Sequence, residues 1–147
     1  MEESLTKQIK NMFAIEGQDA KQYSALGLAY IGDGVYDLII RTIIVEQGNG
    51  KAHMYHKMAS SIVKAGSQAE LLHSIESELT EEEMAVYKRG RNAKSATSAK
   101  NASIIDYRVA TGFEALLGYL YLQNKMDRIL ELVKVGLEKT GQMPKRK

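Results

Sequence analysis

The stretch LGLAYIGDGVYDL, residues 26–38, carries the strongest structural signal in this chain of 147 residues. Its apolar residues recur at steps of three and four, which predicts an amphipathic helix. It nevertheless holds glycines at 27, 32 and 34, and each glycine inside a helix costs about 1 kcal/mol relative to alanine. Asp33 stands between two of these glycines. The stretch therefore predicts that another helix or subunit approaches this helix closely and that Asp33 has a specific task.

The same periodicity extends this helix over residues 24–47. The residues that keep this spacing are Leu28, Ile31, Val35, Leu38, Thr42 and Val45, and the stripe formed by the first four is predicted to face the core. Asp33 then projects from the other side, which it shares with Tyr30 and Asp37. A simpler interpretation of Asp33 is a solvent-facing residue without a function.

The rest of the chain also predicts helices. Thr80 and Glu83 have the spacing of a capping box, which marks a helix start. The small, polar and basic segment 93–103 predicts a loop. The only proline is at position 144, and no period-two alternation indicates a strand. Further helices are predicted over 52–64, 67–76, from 80 onward, 105–123 and 127–138. The expected fold is an all-α domain of about six or seven helices, with an N-terminal extension over 1–23, the domain itself over 24–138 and a basic tail over 139–147.

Cysteine content, apolar runs and charge distribution exclude some classes of protein. The chain has no cysteine, which excludes disulfides and thiolate metal sites. No apolar run reaches the roughly 20 residues of a membrane span, so a cytoplasmic protein without a membrane partner is expected. The net charge is only +2, but charges are segregated: residues 76–83 carry five acidic residues, and residues 88–108 carry six Lys or Arg against one Asp. This segregation predicts a cationic patch.

Glu114 is the second unusual carboxylate. It is the only acidic residue between Tyr107 and Met126, and its helical neighbours are apolar or glycine. A lone carboxylate in such a setting is costly. A divalent cation shared by Asp33 and Glu114 would explain both residues, and oxygen ligands favour Mg²⁺ or Mn²⁺. Close helix packing without any chemistry is the alternative.

The basic segment offers donors that suit a phosphate backbone. Guanidinium, ammonium, amide and hydroxyl groups occur together, and the segment has few aromatic residues for stacking on single-stranded bases. A nucleic-acid duplex, and for RNA its shape and 2′-hydroxyls, is therefore the expected partner. A solvated helix end is the alternative. The candidate RNA-binding residues are Arg89, Arg91, Asn92, Lys94, Ser95, Lys100 and Arg108.

Four separated motifs resemble the ribonuclease III family. AYIGDGVYD at 29–37 resembles its signature helix, and TGFEALLGYLYL at 111–122 resembles its second catalytic helix. RGRNAKS at 89–95 and the KN…YR lead at 100–108 are similar to the compact Mini-ribonuclease III form, which has the nuclease domain without a double-stranded-RNA-binding domain.

The resemblance implies the all-α ribonuclease III endonuclease fold and a homodimer. By this resemblance, Asp33 and Glu114 are the catalytic residues and hold Mg²⁺, with Mn²⁺ as a substitute. The implied activity is cleavage of double-stranded RNA that leaves 5′-phosphate and 3′-hydroxyl ends. The implied substrate is the 23S ribosomal RNA precursor, and assistance from a ribosomal protein is one open point.

Three positions depart from the larger enzymes of the family. Leu26, Ala29 and Thr111 stand where those enzymes carry further carboxylates. This difference keeps open a non-catalytic dimer that binds double-stranded RNA, and also a helical scaffold whose glycines serve only dimerisation.

Overall fold

The computed structural model describes residues 4–93 and 103–144, which form seven α-helices and no strand. The prediction of an all-α domain of six or seven helices is confirmed. Two short 3₁₀ turns, Ala20–Gln22 and Glu76–Glu78, complete the regular structure of these residues. The helices are α1 (Leu5–Met12), α2 (Ala25–Glu46), α3 (Ala52–Val63), α4 (Ala65–Ile75), α5 (Glu81–Asn92), α6 (Ile104–Leu122) and α7 (Met126–Thr140).

Six of these helices agree with the sequence to within a few residues at each end. α1 has no counterpart among the predicted helices and lies within the residues assigned to an N-terminal extension. α7 runs to Thr140, two residues beyond its predicted end. Within the described residues, no helix is both long enough and apolar enough to cross a membrane.

α6 lies at the centre of the molecule. It packs against α2, α5, α4 and α7, and every residue from Val109 to Leu120 except Glu114 is buried. Phe113 is fully buried and meets the ring of Tyr36 on α2 edge to face, with 5.2 Å between the ring centroids. Glu114 is thus the one charged residue in the buried part of the central helix.

Two glycines bring α2 and α6 into backbone contact. A Cβ atom on Gly32 would lie 1.7 Å from the carbonyl oxygen of Glu114, and one on Gly118 would lie 2.0 Å from that of Leu28. No side chain fits at either position. The expectation of a close approach is confirmed for Gly32, whereas a Cβ on Gly34 would meet no described atom within 4 Å. This crossing sets Asp33 on α2 beside Glu114 on α6.

The predicted core face of α2 is partly wrong. Leu28 and Val35 are buried, but Leu38 is 60% exposed, Val45 is 53% exposed, and Thr42 is also exposed. The helix instead buries the side that carries Tyr36, Ile40 and Ile44, because it packs on both α6 and α3. Apolar residues cover more than half of the circumference of α2, so spacing alone did not identify the buried side.

The start of α5 is fixed as predicted. The Thr80 hydroxyl accepts from the Glu83 backbone N–H at 3.1 Å, and the Glu83 carboxylate accepts from the Thr80 N–H at 2.9 Å. Arg128 on α7 donates to both Glu83 oxygens, at 2.7 and 2.8 Å. These bonds keep the pKa of the buried Glu83 below its usual value, so α5 and α7 are joined by an ionised pair.

Candidate active site

A shallow depression of about 340 Å³ opens where α2 and α6 cross. The structure brings the two predicted catalytic residues, Asp33 and Glu114, together in its wall. The other lining residues are Leu26, Ala29, Tyr30, Tyr107 and Thr111. Leu26, Ala29 and Thr111, the three positions where the sequence departs from larger enzymes, therefore lie in the same depression as the two carboxylates.

The two carboxylates differ in their surroundings. Asp33 is exposed, whereas Glu114 is half-buried among the apolar residues of α6. Burial raises the pKa of Glu114 to about 8, and the Asp33 carboxylate beside it, within hydrogen-bonding range, adds to the shift. Without a cation in the depression, Glu114 therefore keeps a proton near neutral pH. A perturbed carboxyl group in a cleft is a common property of functional sites.

Gln68 on α4 does not line the depression but contacts Glu114 from behind it. Its side chain is 2% exposed, and its amide nitrogen donates to Glu114 Oε2 at 3.2 Å and to the Val63 carbonyl at 2.7 Å. The hydrogen bond from Gln68 to Glu114 favours the ionised carboxylate and lowers its pKa. It thereby opposes burial and the Asp33 carboxylate, which both raise that pKa. A donor from α4 thus holds the carboxylate on α6.

The donor set suits a hydrated hard cation. In residues 4–93 and 103–144 there is no cluster of three or more His, Asp, Glu or Cys that could hold a metal ion. Asp33 and Glu114 supply oxygen ligands from two helices, and Mg²⁺ typically binds through one or two carboxylates and keeps several waters. Two carboxylates this close together, one of them half-buried, are a setting in which a bound cation would favour the ionised form of both. The residues present therefore fit Mg²⁺ or Mn²⁺ with most of its coordination left to water or phosphate.

The end of α5, which carries basic residues, packs against α6, the helix that carries Glu114. Gly90 allows the approach, because a Cβ there would lie 2.8 Å from Gly112 Cα on α6. Arg89 and Arg91 flank this glycine. Arg89 is exposed and donates to the Tyr23 carbonyl at 3.2 Å, while the Arg91 guanidinium lies 5.5 Å from the centre of the Tyr87 ring.

The other predicted RNA-binding residues divide into two groups. Asn92, which accepts from Arg91 at 3.2 Å, and Arg108, six residues before Glu114 on α6, are exposed. Lys94, Ser95 and Lys100 lie outside the described residues. The described basic residues thus come from both helices that border the 94–102 segment.

Sequence reasoning missed Gln68, although a signal was present. Gln68 precedes Leu71, Leu72 and Ile75 by three, four and seven residues, and all three are fully buried. A glutamine on an apolar stripe of this kind indicates a buried amide with a specific partner. The identity of that partner depends on the packing of α4 against α6, which the sequence does not reveal.

Comparison with known proteins identifies the family of the chain. Residues 26–125 match the Ribonuclease III domain family. The chain is 47% identical over 127 residues to the Mini-ribonuclease 3 of Enterococcus faecalis, covering 85% of this chain and 96% of that one. It is 51% identical over 119 residues to the Mini-ribonuclease 3 of Clostridium tetani, covering 80% and 79%.

A crystal structure of a protein from Fusobacterium nucleatum has the same fold. It superposes with a TM-score of 0.76 at 28% identity and covers 84% of this chain and 99% of that one. The family match spans both carboxylates and the helix crossing that unites them. The chain therefore belongs to the ribonuclease III family of endoribonucleases.

Proposed function

We propose that this protein cleaves double-stranded RNA with the aid of Mg²⁺ held by Asp33 and Glu114. The observation that carries the proposal is the pairing of these carboxylates in one depression at the crossing of α2 and α6. Carboxylates on two different helices, kept in register by backbone contact, form a preorganised ligand set. The names of the relatives, all Mini-ribonuclease 3, agree with this activity.

The protein residues have separate tasks in the proposed reaction. A divalent cation, when bound, supplies an activated water and neutralises charge at the phosphate. Glu114 must lose the proton that its raised pKa retains, and the Gln68 amide favours that ionised form. Asp33 is exposed in the depression and is proposed to hold the cation from the side open to RNA. Ligand binding and proton release are thus coupled at Glu114.

The basic residues are proposed to hold the RNA backbone. Arg89, Arg91 and Asn92 lie in the last turn of α5, which packs against α6, and Arg108 follows Tyr107 on α6. Lys94, Ser95 and Lys100 are proposed to complete the same surface. Guanidinium and amide donors position phosphates without reading base sequence. Duplex RNA offers two phosphate backbones across a wide minor groove, which suits such a surface.

The active form is proposed to be a homodimer that uses the exposed apolar side of α2. Leu38 is 60% exposed and lines an apolar groove of about 430 Å³ between α1, α2 and the end of α6. Leu5 and Met126 in the same groove are also exposed. Exposed apolar side chains that share one groove are the support for this use of the surface.

The biological substrate is proposed to be the 23S ribosomal RNA precursor in the cytoplasm, with a ribosomal protein as a possible assistant. In this proposal residues 24–138 form the endonuclease domain, residues 1–23 an extension and residues 139–147 a basic tail. The support is the similarity to proteins named Mini-ribonuclease 3.

A non-catalytic dimer that binds duplex RNA is the second candidate. The observation that favours it is the presence of Leu26, Ala29 and Thr111 in the depression, so that the described residues lining it include two carboxylates. The discriminating experiment incubates the protein with a duplex RNA and with each separated strand, in Mg²⁺ and in EDTA. Cleavage of the duplex in Mg²⁺ alone is expected. A salt-sensitive gel shift with intact RNA in both buffers would favour the second candidate.

A further inference from the structure

Gln68 combines burial, polarity and contact with a proposed catalytic residue. Few polar or charged side chains among the described residues are buried: Thr6, Gln68, Glu83 and Thr111. Of these four, Gln68 donates a hydrogen bond to a carboxylate of the candidate active site. It lies on α4, a helix that contributes no residue to the wall of the depression.

The orientation of the Gln68 amide is fixed by the joint between α3 and α4. α3 ends at Val63, and Lys64 adopts an extended conformation before α4 begins. The Val63 carbonyl therefore belongs to the last turn of α3, where carbonyls lack intrahelical partners. The Gln68 amide nitrogen donates to this carbonyl at 2.7 Å, so its second hydrogen is available for Glu114 Oε2 at 3.2 Å.

Stability alone does not account for a glutamine at this position. Its Oε1 atom is buried and accepts no hydrogen bond from any described residue. A buried acceptor without a partner is unfavourable. A methionine side chain would fill a similar volume and would not bury such an acceptor. The two N–H groups of the amide are what an apolar residue could not provide.

We propose that Gln68 is a positioning residue that holds Glu114 in the conformation required for metal binding. It occupies one oxygen of the carboxylate and links that oxygen to the backbone of the α3–α4 joint. The inference rests on the proposed function, in which Glu114 is a metal ligand. Groups that orient metal ligands typically contribute about 10- to 100-fold to metal affinity or activity.

The test compares Gln68→Met with Gln142→Met. Gln142 is a matched control because its Oε1 is also buried without a partner and its amide nitrogen donates to a backbone carbonyl, that of Ser67, at 3.1 Å. Ser67 immediately precedes Gln68, yet Gln142 makes no hydrogen bond to Glu114. Melting temperature, Mn²⁺ affinity by electron paramagnetic resonance, and kcat and KM on a duplex RNA would be measured for both variants.

Gln68→Met is expected to weaken Mn²⁺ binding and lower kcat, each by about 10-fold or more, with KM close to wild type. Gln142→Met is expected to keep wild-type values of all three. Equal Mn²⁺ affinity and kcat in the two variants would overturn the inference. If wild type itself neither bound Mn²⁺ nor cleaved RNA, the proposed function would fail first.

A second variant covers the case in which Gln68→Met does not fold. Gln68→Asn keeps a buried amide but is one methylene too short to reach both Val63 and Glu114. The same losses of Mn²⁺ affinity and kcat are expected. Wild-type values in a folded Gln68→Asn protein would contradict a positioning role.

Discussion

At the scale of single residues, the position of Glu114 in the candidate active site lowers the stability of the folded protein. Its carboxyl group is half-buried, and Asp33 stands beside it, so the pKa of Glu114 in the folded state is about 8 against 4.5 for an unperturbed group. Below pH 4.5 the Glu114 carboxyl group is protonated in both the folded and the unfolded state, so its ionisation does not lower the free energy of unfolding. As pH rises from 4.5 to 8 the unfolded chain releases the proton while the folded protein keeps it, so the free energy of unfolding falls.

Glu114→Gln should therefore stabilise the protein in the absence of divalent cations. Each unit of pKa shift corresponds to about 1.4 kcal/mol, so the shift from 4.5 to about 8 predicts a gain of about 4 kcal/mol at pH 8. The gain should vanish below pH 4.5. Urea denaturation of both proteins in EDTA across this range measures it, and a less stable variant at pH 8 would contradict the assigned environment of Glu114.

At the scale of secondary structure elements, the crossing of α2 and α6 is the decisive contact. Gly32 has no room for a side chain, because the Glu114 carbonyl occupies the space. Gly66 on α4 is different: the nearest atom to a Cβ there, Asp106 Oδ2, would be 3.7 Å away, an ordinary contact.

Gly32→Ala should destabilise the protein and separate the two carboxylates. Overpacking of this kind costs about 3 kcal/mol, whereas Gly66→Ala should be neutral or stabilising by up to about 1 kcal/mol. Thermal melting and duplex RNA cleavage of the two variants give the comparison. A Gly32→Ala protein with wild-type stability would show that the helices do not cross at this glycine.

Sequence periodicity predicted six of the seven helices of the described residues, but not the packing between them. Asp33 and Glu114 stood out because each is a charge in apolar or glycine-rich company. The buried side of α2 was misassigned because Leu38 and Val45 are as apolar as the residues that are buried. α1 does have a local signal, because Ser4 caps its start and accepts from the Lys7 backbone N–H at 3.2 Å. The Gln68–Glu114 bond depends instead on the packing of α4 against α6, which no local pattern encodes.

At the scale of the whole molecule, the exposed apolar groove beside α2 bears on assembly. Leu38 lines this groove, whereas Val45, also more than half exposed, lies nearly two turns further along the same helix and outside it. A charge in the groove should disrupt a homodimer, because burying an unpaired ammonium is costly.

Leu38→Lys should convert the protein from a dimer to a single chain of 16.4 kDa in light scattering. Val45→Lys, as the matched change outside the groove, should remain dimeric. A wild-type protein that runs as a single chain, or a dimeric Leu38→Lys protein, would contradict the proposed use of this surface.

The cationic surface should make RNA binding dependent on salt. Arg108→Ala should lower the slope of log affinity against log salt concentration by about one, because one phosphate contact is lost. Lys57→Ala, an exposed lysine on α3, should leave the slope unchanged. Filter binding of a duplex RNA in Ca²⁺ at several salt concentrations measures this slope. An unaltered slope for Arg108→Ala would show that Arg108 does not contact the RNA backbone.

The most direct test of the account is cleavage of a double-stranded RNA hairpin in Mg²⁺ by wild type, Asp33→Asn and Asp37→Asn. Asp37 is the matched control, because it lies one turn further along α2 and pairs with Arg41 at 2.9 Å. Wild type and Asp37→Asn should cleave the hairpin, and Asp33→Asn should leave it intact while still folding and binding it. Cleavage by Asp33→Asn at the wild-type rate would contradict the placement of the active site between α2 and α6.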